Sequence, residues 1–352
     1  MRDAVESLVN EAVSPATKAE FLSALARKGE TIEEIAAFAR ALREKSVAPP
    51  IDSAWRESRE ILDVCGTGGD QLGTFNISTT VALVCAAAGV AVAKHGNRAI
   101  TSQSGSADVL QALGVRIDLS ATDAAHSLRE RNFAFFFAPN FHPAFKHLTS
   151  ARKLCAERGQ RTIFNFLGPL LNPAQPTAQL IGMPKPELCA PIARVVQSLG
   201  VRRGMVVCGS VGQASRLSPS VMRQKIETGA TPVLRAMDAT LDELSTLGPN
   251  TVAEFYQEHG FAASTLDPNQ FPLQPATLAD LQGGDRNANA EIIRRILRGD
   301  ERGAKRDAVL LNAGAALFVA GRARSMGAGW ELAAEVIEDG RAFAKLRELT
   351  AR

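Results

Sequence analysis

Much is missing from this chain, and each absence closes off a class of protein. No apolar run approaches the ~20 residues of a membrane-spanning helix. No block of five or six basic residues appears, and the formal net charge is only +3. A nucleic-acid groove is therefore not indicated, although local cationic pockets for an anionic small molecule are compatible with this balance. The five cysteines, Cys65, Cys85, Cys155, Cys189 and Cys208, are scattered and show no C-x-x-C spacing. That pattern argues against zinc or a disulfide framework and for free thiols in a reducing compartment. The first residues, "MRDAVESLVNEAVS", are polar and partly acidic, unlike a signal peptide. Internal repeats and low-complexity tracts are also absent. A soluble, cytoplasmic protein is expected, with neither a membrane nor a nucleic acid as partner.

What is present suffices for a large core. The 352 residues are 45% hydrophobic and 22% charged, which excludes a disordered composition and suggests roughly two domains. Residues 1–60 read as helices. "SPATKAEFLSALARKG" offers Ser14 as N-cap, Pro15 at the first helical position and Gly29 as a stop. "TIEEIAAFARALREKS" opens with a capping box, Thr31 to Glu34, and places Ile35, Phe38 and Leu42 on one face. Pro49-Pro50 ends the pattern. Strand and helix then alternate: "EILDVC", "STTVALVCAAAG", "VAVAKHG", "SADVLQALG", and "VRI" as the start of a third strand. "GPLLNPAQPTAQLIG" is turn-rich, "KPELCAPIARVVQSLG" returns to helix and "GMVVCGS" is again a buried strand. Further on, "NTVAEFY" is strand-like, and "NANAEIIRRILRG", "DAVLLNAGAALFVAG" and "WELAAEVIEDGRAFAKLREL" are helical. The alternation predicts an α/β domain with some parallel strand pairing.

Two loops concentrate the chemistry. "DVCGTGGDQLGTFNIST" joins a strand to a helix and carries Gly66, Gly68, Gly69 and Gly73. Open α/β sheets bind ligands at such strand ends. Glycines let backbone N–H groups converge on an anion, and the helix N-terminus adds unpaired donors and partial positive charge. Thr74, Asn76, Ser78 and Thr79 supply short polar side chains beside it. The combination suits a phosphate or pyrophosphate. It is neither a Walker A loop nor the dinucleotide fingerprint, and a plain glycine turn with an N-cap stays open as an alternative. The next strand ends in "KHGNRAITSQSGSAD", which gathers Lys94, His95, Asn97 and Arg98 ahead of Ser102, Ser104 and Ser106. A lone histidine is more often structural, and an arginine is often a surface charge. Two such loops at successive strand ends make an anion site the better reading.

"GTGGD", "TFNIST", "KHGNR" and "SGSADVLQALGV", in this order, resemble anthranilate phosphoribosyltransferases of tryptophan biosynthesis. "FFFAPNFHPAFKHL", "RTIFNFLGPLLNP", "LDELSTLG", "GGDRNANA" and "VLLNAGAAL" extend the resemblance over nearly the whole chain. It implies a small all-helical domain, residues 1–60 with about 172–200, and a larger α/β domain, 61–171 with 201–352. The larger domain would hold a central mixed sheet flanked by helices, as in nucleoside phosphorylases, and the family usually forms homodimers through the helical domain. The implied reaction transfers phosphoribose from phosphoribosyl pyrophosphate (PRPP) to the amine of anthranilate, with Mg2+. By motif, Gly66, Gly69, Asp70, Thr74, Asn76, Ser78, Thr79, Lys94, Asn97, Ser102 and Ser106 resemble the PRPP contacts. Gly66, Asn97, Ala138, Pro139, His142 and Arg152 resemble the anthranilate side. Ser78, Asp242 and Glu243 resemble the magnesium ligands. Taken alone, Asp242-Glu243 reads as a solvated pair, Arg152 as a helix-surface arginine and His142 equally as a structural residue.

Three places depart from the family pattern. Gln71 stands where another glycine is usual. The stretch before "RTIFN" is a few residues longer, so counting forward from His142 reaches Arg152, whereas counting back from Thr162 reaches Cys155. Residues 210–238 intervene between the "CG" strand end and Asp242, and they read as an inserted loop. A pyrimidine nucleoside phosphorylase and a non-catalytic nucleic-acid-binding relative are the rivals. "KHGNR" and "LDELS" weigh against the first, and the lack of a basic stripe weighs against the second.

Overall fold

The computed structural model describes residues 1–99, 103–212, 239–257 and 259–351. The expected residues Ser102 and 213–238 of the insertion lie outside the described residues. Three N-terminal helices follow, α1 (Arg2–Val9), α2 (Pro15–Lys28) and α3 (Ile32–Glu44), the last two starting as the capping chemistry dictates. Ser14 Oγ accepts from Thr17 N, and the Thr31–Glu34 box closes in both directions. Each cap satisfies donors that a helix start leaves open.

Beyond them the described residues form one eight-stranded mixed sheet. Its strands are β1 (Ile61–Gly66), β2 (Ala91–Gly96), β3 (Phe133–Phe137), β4 (Ala178–Gly182), β5 (Arg203–Val211), β6 (Ala239–Leu241), β7 (Asn250–Tyr256) and β8 (Gly260–Leu266). The order is β3-β2-β1-β4-β5-β7-β8, with β6 on the end of β5. The strands from β3 to β5 in that order run parallel, and β6, β7 and β8 add on antiparallel. The parallel strands are covered on both faces, so they read as continuous apolar runs rather than alternating ones.

Alternate residues still choose different cores, because strand side chains have period two. Met205 and Val207 of β5 and Leu180 of β4 face a cluster built on the helix Ile77–Ala87 and the C-terminal helices. Val206 and Cys208, with Ile181, face a second cluster with Val5, Leu22 and Phe38 of the helical layer. Two more helices join that layer, Thr149–Glu157 and Cys189–Ser198. The segment 172–200, expected in the helical domain, is therefore split. Its helix packs with α1–α3, but Ala178–Gly182 is β4, paired between β1 and β5 in the sheet.

"VRI" is not the third strand. Residues 115–120 are irregular, and the third strand is "FAFFF" after the helix Ala121–Arg131. Val115 and Ile117 are buried in the first of the two clusters, so their apolar character reflects packing rather than pairing. β5 runs to Val211, so the insertion starts later than residue 210.

The C-terminal helices cross at glycines. A Cβ on Gly314 would stand 2.8 Å from the Met326 carbonyl and 2.9 Å from Trp330 N, so the two backbones touch. Gly314→Ala is expected to lower stability by about 1–3 kcal/mol through overpacking, measured by urea unfolding. An unchanged midpoint would refute that close contact.

Candidate active site

At the carboxyl ends of β1, β4 and β5 the sheet is bare of side chains. Gly66 pairs with Gly182, and Gly209 lies beyond them on β5. Across these ends lies the turn Asp242–Ser245. A Cβ on Gly182 would come within 1.6 Å of the Asp242 carbonyl, and one on Gly209 within 2.7 Å of the Glu243 carbonyl. Asn312, buried on the helix Ala304–Val319, fastens the turn from the other side. It accepts from Leu244 N at 2.9 Å and donates to Leu244 O at 2.9 Å.

The glycine loop wraps this turn. Asp242 Oδ2 accepts from Gly68 N, from Gly69 N at 3.3 Å and from Thr67 Oγ1 at 3.2 Å. Asp70 faces the same turn, accepting from Asp242 N at 3.4 Å. Glu243 Oε1 accepts from Ser78 N at 3.1 Å, in the first turn of the helix Ile77–Ala87, where the helix end favours a negative group. Both carboxylates are buried, and burial pushes both pKa values up; Asp70 beside Asp242, and Asp242 beside Glu243, push the same way. Gln71 adopts φ +56°, a left-handed conformation that glycine takes without a steric penalty.

The loop is also held from the C-terminal side. Phe75 N donates to Leu281 O at 3.1 Å and Gly283 N to Gly73 O at 2.9 Å, while Thr74 bridges to Gln282. Asn289 Nδ2 donates to Asn76 Oδ1 at 3.0 Å, and Asn76 Nδ2 to Ser104 O at 3.2 Å. Thr79 Oγ1 is buried without a partner among the described residues.

The second loop follows β2. Ser106 Oγ donates to Asn97 O at 3.3 Å, and Asn97 itself is exposed. Arg98 is occupied by Asp108 and Gln111, so it is not a free anion ligand. Lys94 is buried beneath the first loop rather than open to solvent. Its Nζ donates to Val64 O at 2.8 Å and lies 3.4 Å from Ser78 Oγ. Burial lowers its pKa, and neighbouring Asp63 and Glu243 pull it back up.

Asp63 escaped the sequence reading. It is fully buried, accepts from Asn172 Nδ2 at 2.9 Å and His95 N at 3.3 Å, and burial raises its pKa to about 6. The signal was available: an acid inside the apolar run "ILDVC" is out of place unless paired.

The remaining predicted residues lie beside β3. Ala138 and Pro139 open the short helix Ala138–Phe141, and His142 follows. His142 Nε2 lies 3.2 Å from His95 Nε2, with ring centroids 5.1 Å apart. His142 stacks on Phe145, Phe145 meets Phe164 edge-on, and the Arg152 guanidinium stands 5.3 Å over Phe164. The Arg152 group is half-buried and makes no hydrogen bond to a described residue. Cys155 is buried instead between Ser23 and Ala19 of α2, whereas Arg152 stands over the Phe164 ring. His142 and Arg152 thus border one aromatic wall, with Ala138 O accepting from His142 N at 2.9 Å, while Asp242, Glu243 and Ser78 meet beneath the glycine loop.

Residues 1–46 match the helical bundle domain of a glycosyl transferase family, and residues 58–225 and 220–343 match that family's α/β domain. The anthranilate phosphoribosyltransferase of Petrotoga mobilis is 44% identical over 349 residues, 99% of this chain and 90% of that protein. The chain belongs to the anthranilate phosphoribosyltransferase family. The solved structure of a family member from Thermus thermophilus superposes with a TM-score of 0.83 at 40% identity, covering 99% of this chain and 93% of that one. A Saccharomyces cerevisiae member, solved in complex with PRPP and Mg, superposes with a TM-score of 0.76 at 26% identity, covering 95% of this chain and 84% of that one. Among the described residues no helix is long and apolar enough to cross a membrane.

The histidine pair gives a pH test. Burial first, then the neighbouring His142, lowers the His95 pKa to about 3; burial lowers that of His142 to about 4. A depressed histidine contributes stability above its unfolded pKa and loses it as pH falls toward its folded pKa. Between pH 7 and 5, wild type should lose about 2 kcal/mol more stability than His142→Asn, the cost of protonating one such group. Parallel stability curves from urea unfolding at the two pH values would contradict a neutral buried His142.

Proposed function

We infer that the chain transfers the 5-phosphoribosyl group of PRPP to the amine of anthranilate. The products are N-(5-phosphoribosyl)anthranilate and pyrophosphate, in tryptophan biosynthesis. One observation carries the reading: a strand-to-helix loop rich in backbone donors closes around two buried adjacent carboxylates, Asp242 and Glu243.

That donor set fits magnesium. Among the described residues no cluster of three or more histidine, cysteine, aspartate or glutamate side chains is assembled. Mg2+ is content with one or two carboxylates and substrate phosphates, and two carboxyls pushed toward their neutral forms gain most from a cation. Asp242, Glu243 and Ser78 would hold it. When bound, the ion supplies Lewis-acid neutralisation of the departing pyrophosphate.

The chain's own groups do the rest. Gly66, Gly69, Asp70, Thr74, Asn76, Ser78 and Thr79 of the first loop, and Asn97 and Ser106 of the second, orient PRPP. Lys94 acts from below, bracing Val64 O and Ser78 rather than reaching into solvent. Gly66, Asn97, Ala138, Pro139, His142 and Arg152 receive anthranilate. An arginine over an aromatic ring, with no hydrogen-bond partner among the described residues, is suited to the acid's carboxylate. The C1–O bond to pyrophosphate breaks, the N–C1 bond forms from the opposite face, and the amine then sheds a proton. No side-chain nucleophile is needed; positioning and charge stabilisation supply the acceleration.

We propose a homodimer through the helical domain, in a reducing cytoplasm. The large hydrophobics exposed among the described residues, Met1, Phe21 and Val47, all lie on or beside the N-terminal helices. The five cysteines are free and buried, which suits a reducing compartment.

Mixing the protein with Mg2+, PRPP and anthranilate should extinguish anthranilate fluorescence as product forms. Asp242→Asn with Glu243→Gln should cut that rate by at least about a hundredfold, the scale of lost charge stabilisation. Near-normal rates at limiting magnesium would remove both residues from the metal site. Light scattering should report a dimer that Phe21→Asp shifts toward monomer, and a monomeric wild type would dismiss the interface.

A further inference from the structure

We propose that Asn289 is a positioning residue for the phosphate side of the site. It turns the Asn76 amide across the two anion loops and holds it off the N-terminus of the helix Ile77–Ala87. This rests on the functional reading above.

The stretch "GGDRNANA" leads into the helix Arg286–Arg298. Its residues have separate duties. Asp285 Oδ1 accepts from Asn287 N and Ala288 N, both at 2.9 Å, and so caps the helix. Asn289 lies one turn on, is buried, and its side chain turns back to Gly284 and the glycine loop. Asparagine is a poorer helix former than alanine at such a position, and the cap is already supplied, so the helix does not account for it. A Cβ on Gly283 would stand 2.6 Å from Asn289 Oδ1 and 2.8 Å from Phe75 Cα. That glycine lets the amide and the first loop pack against the same backbone.

The hydrogen bonds fix two amides in series. Asn289 Oδ1 accepts from Gly284 N at 2.8 Å, and a backbone N–H can only donate. Asn289 Nδ2 then donates to Gly284 O at 3.1 Å and to Asn76 Oδ1 at 3.0 Å. Asn76 Oδ1 therefore faces Asn289, and Asn76 Nδ2 donates to Ser104 O at 3.2 Å, a carbonyl that can only accept. Both ends of the relay are backbone groups, so neither amide can reverse without setting two donors or two acceptors together. The relay joins the C-terminal segment to the first loop and the first loop to the second.

Asn76 occupies the N-cap of the helix Ile77–Ala87, where an asparagine side chain ordinarily accepts from the first turn of its own helix. Here it makes no such bond. Ser78 N, in that first turn, goes to Glu243 Oε1 instead. Asn289 and Ser104 O hold the amide aside, which leaves the helix start to Glu243 and, in the functional reading, to PRPP. None of the residues of the aromatic wall takes part in the relay.

The test uses the full chain, steady-state kinetics and calorimetric titration with PRPP and Mg2+. Asn289→Ala removes the amide, adds no charge and suits a helix. It should raise KM for PRPP about tenfold, the scale of one lost hydrogen bond, and weaken PRPP binding in the calorimeter by a similar factor. KM for anthranilate should stay within twofold. In an Asn76→Ala background the same substitution should change both PRPP values less than twofold, because Asn289 acts through Asn76. Should Asn289→Ala not fold, Asn289→Leu, closer in volume, carries the same comparison. An unchanged KM for PRPP, equal rises in both KM values, or a tenfold effect that persists in the Asn76→Ala background would overturn the proposal. Wild type that binds PRPP without consuming anthranilate would instead overturn the functional reading, and the PRPP titrations would still decide the role of Asn289.

Discussion

Everything in this site depends on an acidic turn lying directly against the ends of three parallel strands. The contact is possible because Gly66, Gly182 and Gly209 leave those strand ends without side chains. Any Cβ there would push the turn off the sheet. The turn would then take Asp242 away from the glycine loop and Glu243 away from the start of the helix Ile77–Ala87. The loop, the helix N-terminus and the carboxylates are therefore one object. Asn312 pins it from the helical side, and the segment Leu281–Gly284 closes it over the top.

The second half of the site has a different origin. It forms where the helical layer meets the sheet, with Arg43 and the aromatic pair Phe38–Phe164 reaching across. Its polar groups are buried histidines kept neutral, and its charges are single arginines. In the proposed function one half serves phosphate and metal, and the other a flat acid with an apolar body. The division of labour follows from which layer supplies each wall.

Much of the frame was legible. The caps at Ser14 and Thr31, the strand–loop–helix from Ile61 to Ala87 and the strand Asn250–Tyr256 follow from local chemistry and periodicity. β4 was hidden because its five residues sit behind two prolines, in a stretch that looks like turns. β8 was hidden because most of it is exposed and built of small residues, which leaves no period-two alternation. "VRI" misled because burial without pairing leaves the same apolar trace. For the site, the two anion loops could be read from residues alone, and the ligand came from the family resemblance. The meeting of His95 with His142 could not be read, because it needs the parallel register that sets His95 beside Phe136 and the short helix that follows. Nor could Lys94's burial, since a lysine at a strand end reads the same whether it points up into solvent or down beneath a loop.

The carboxylate of Asp242 has a consequence for how the site fills. Its Oδ2 already holds the N–H groups of Gly68 and Gly69 and the hydroxyl of Thr67. These are the donors an arriving phosphate would claim. The loop is therefore a mould that holds a tethered competitor, whose effective concentration is set by the chain itself. Under the proposed function an arriving anion would have to exchange with that carboxylate, and a cation drawing Asp242 away would lower the competition. Metal and substrate would in this way be coupled through a single oxygen atom.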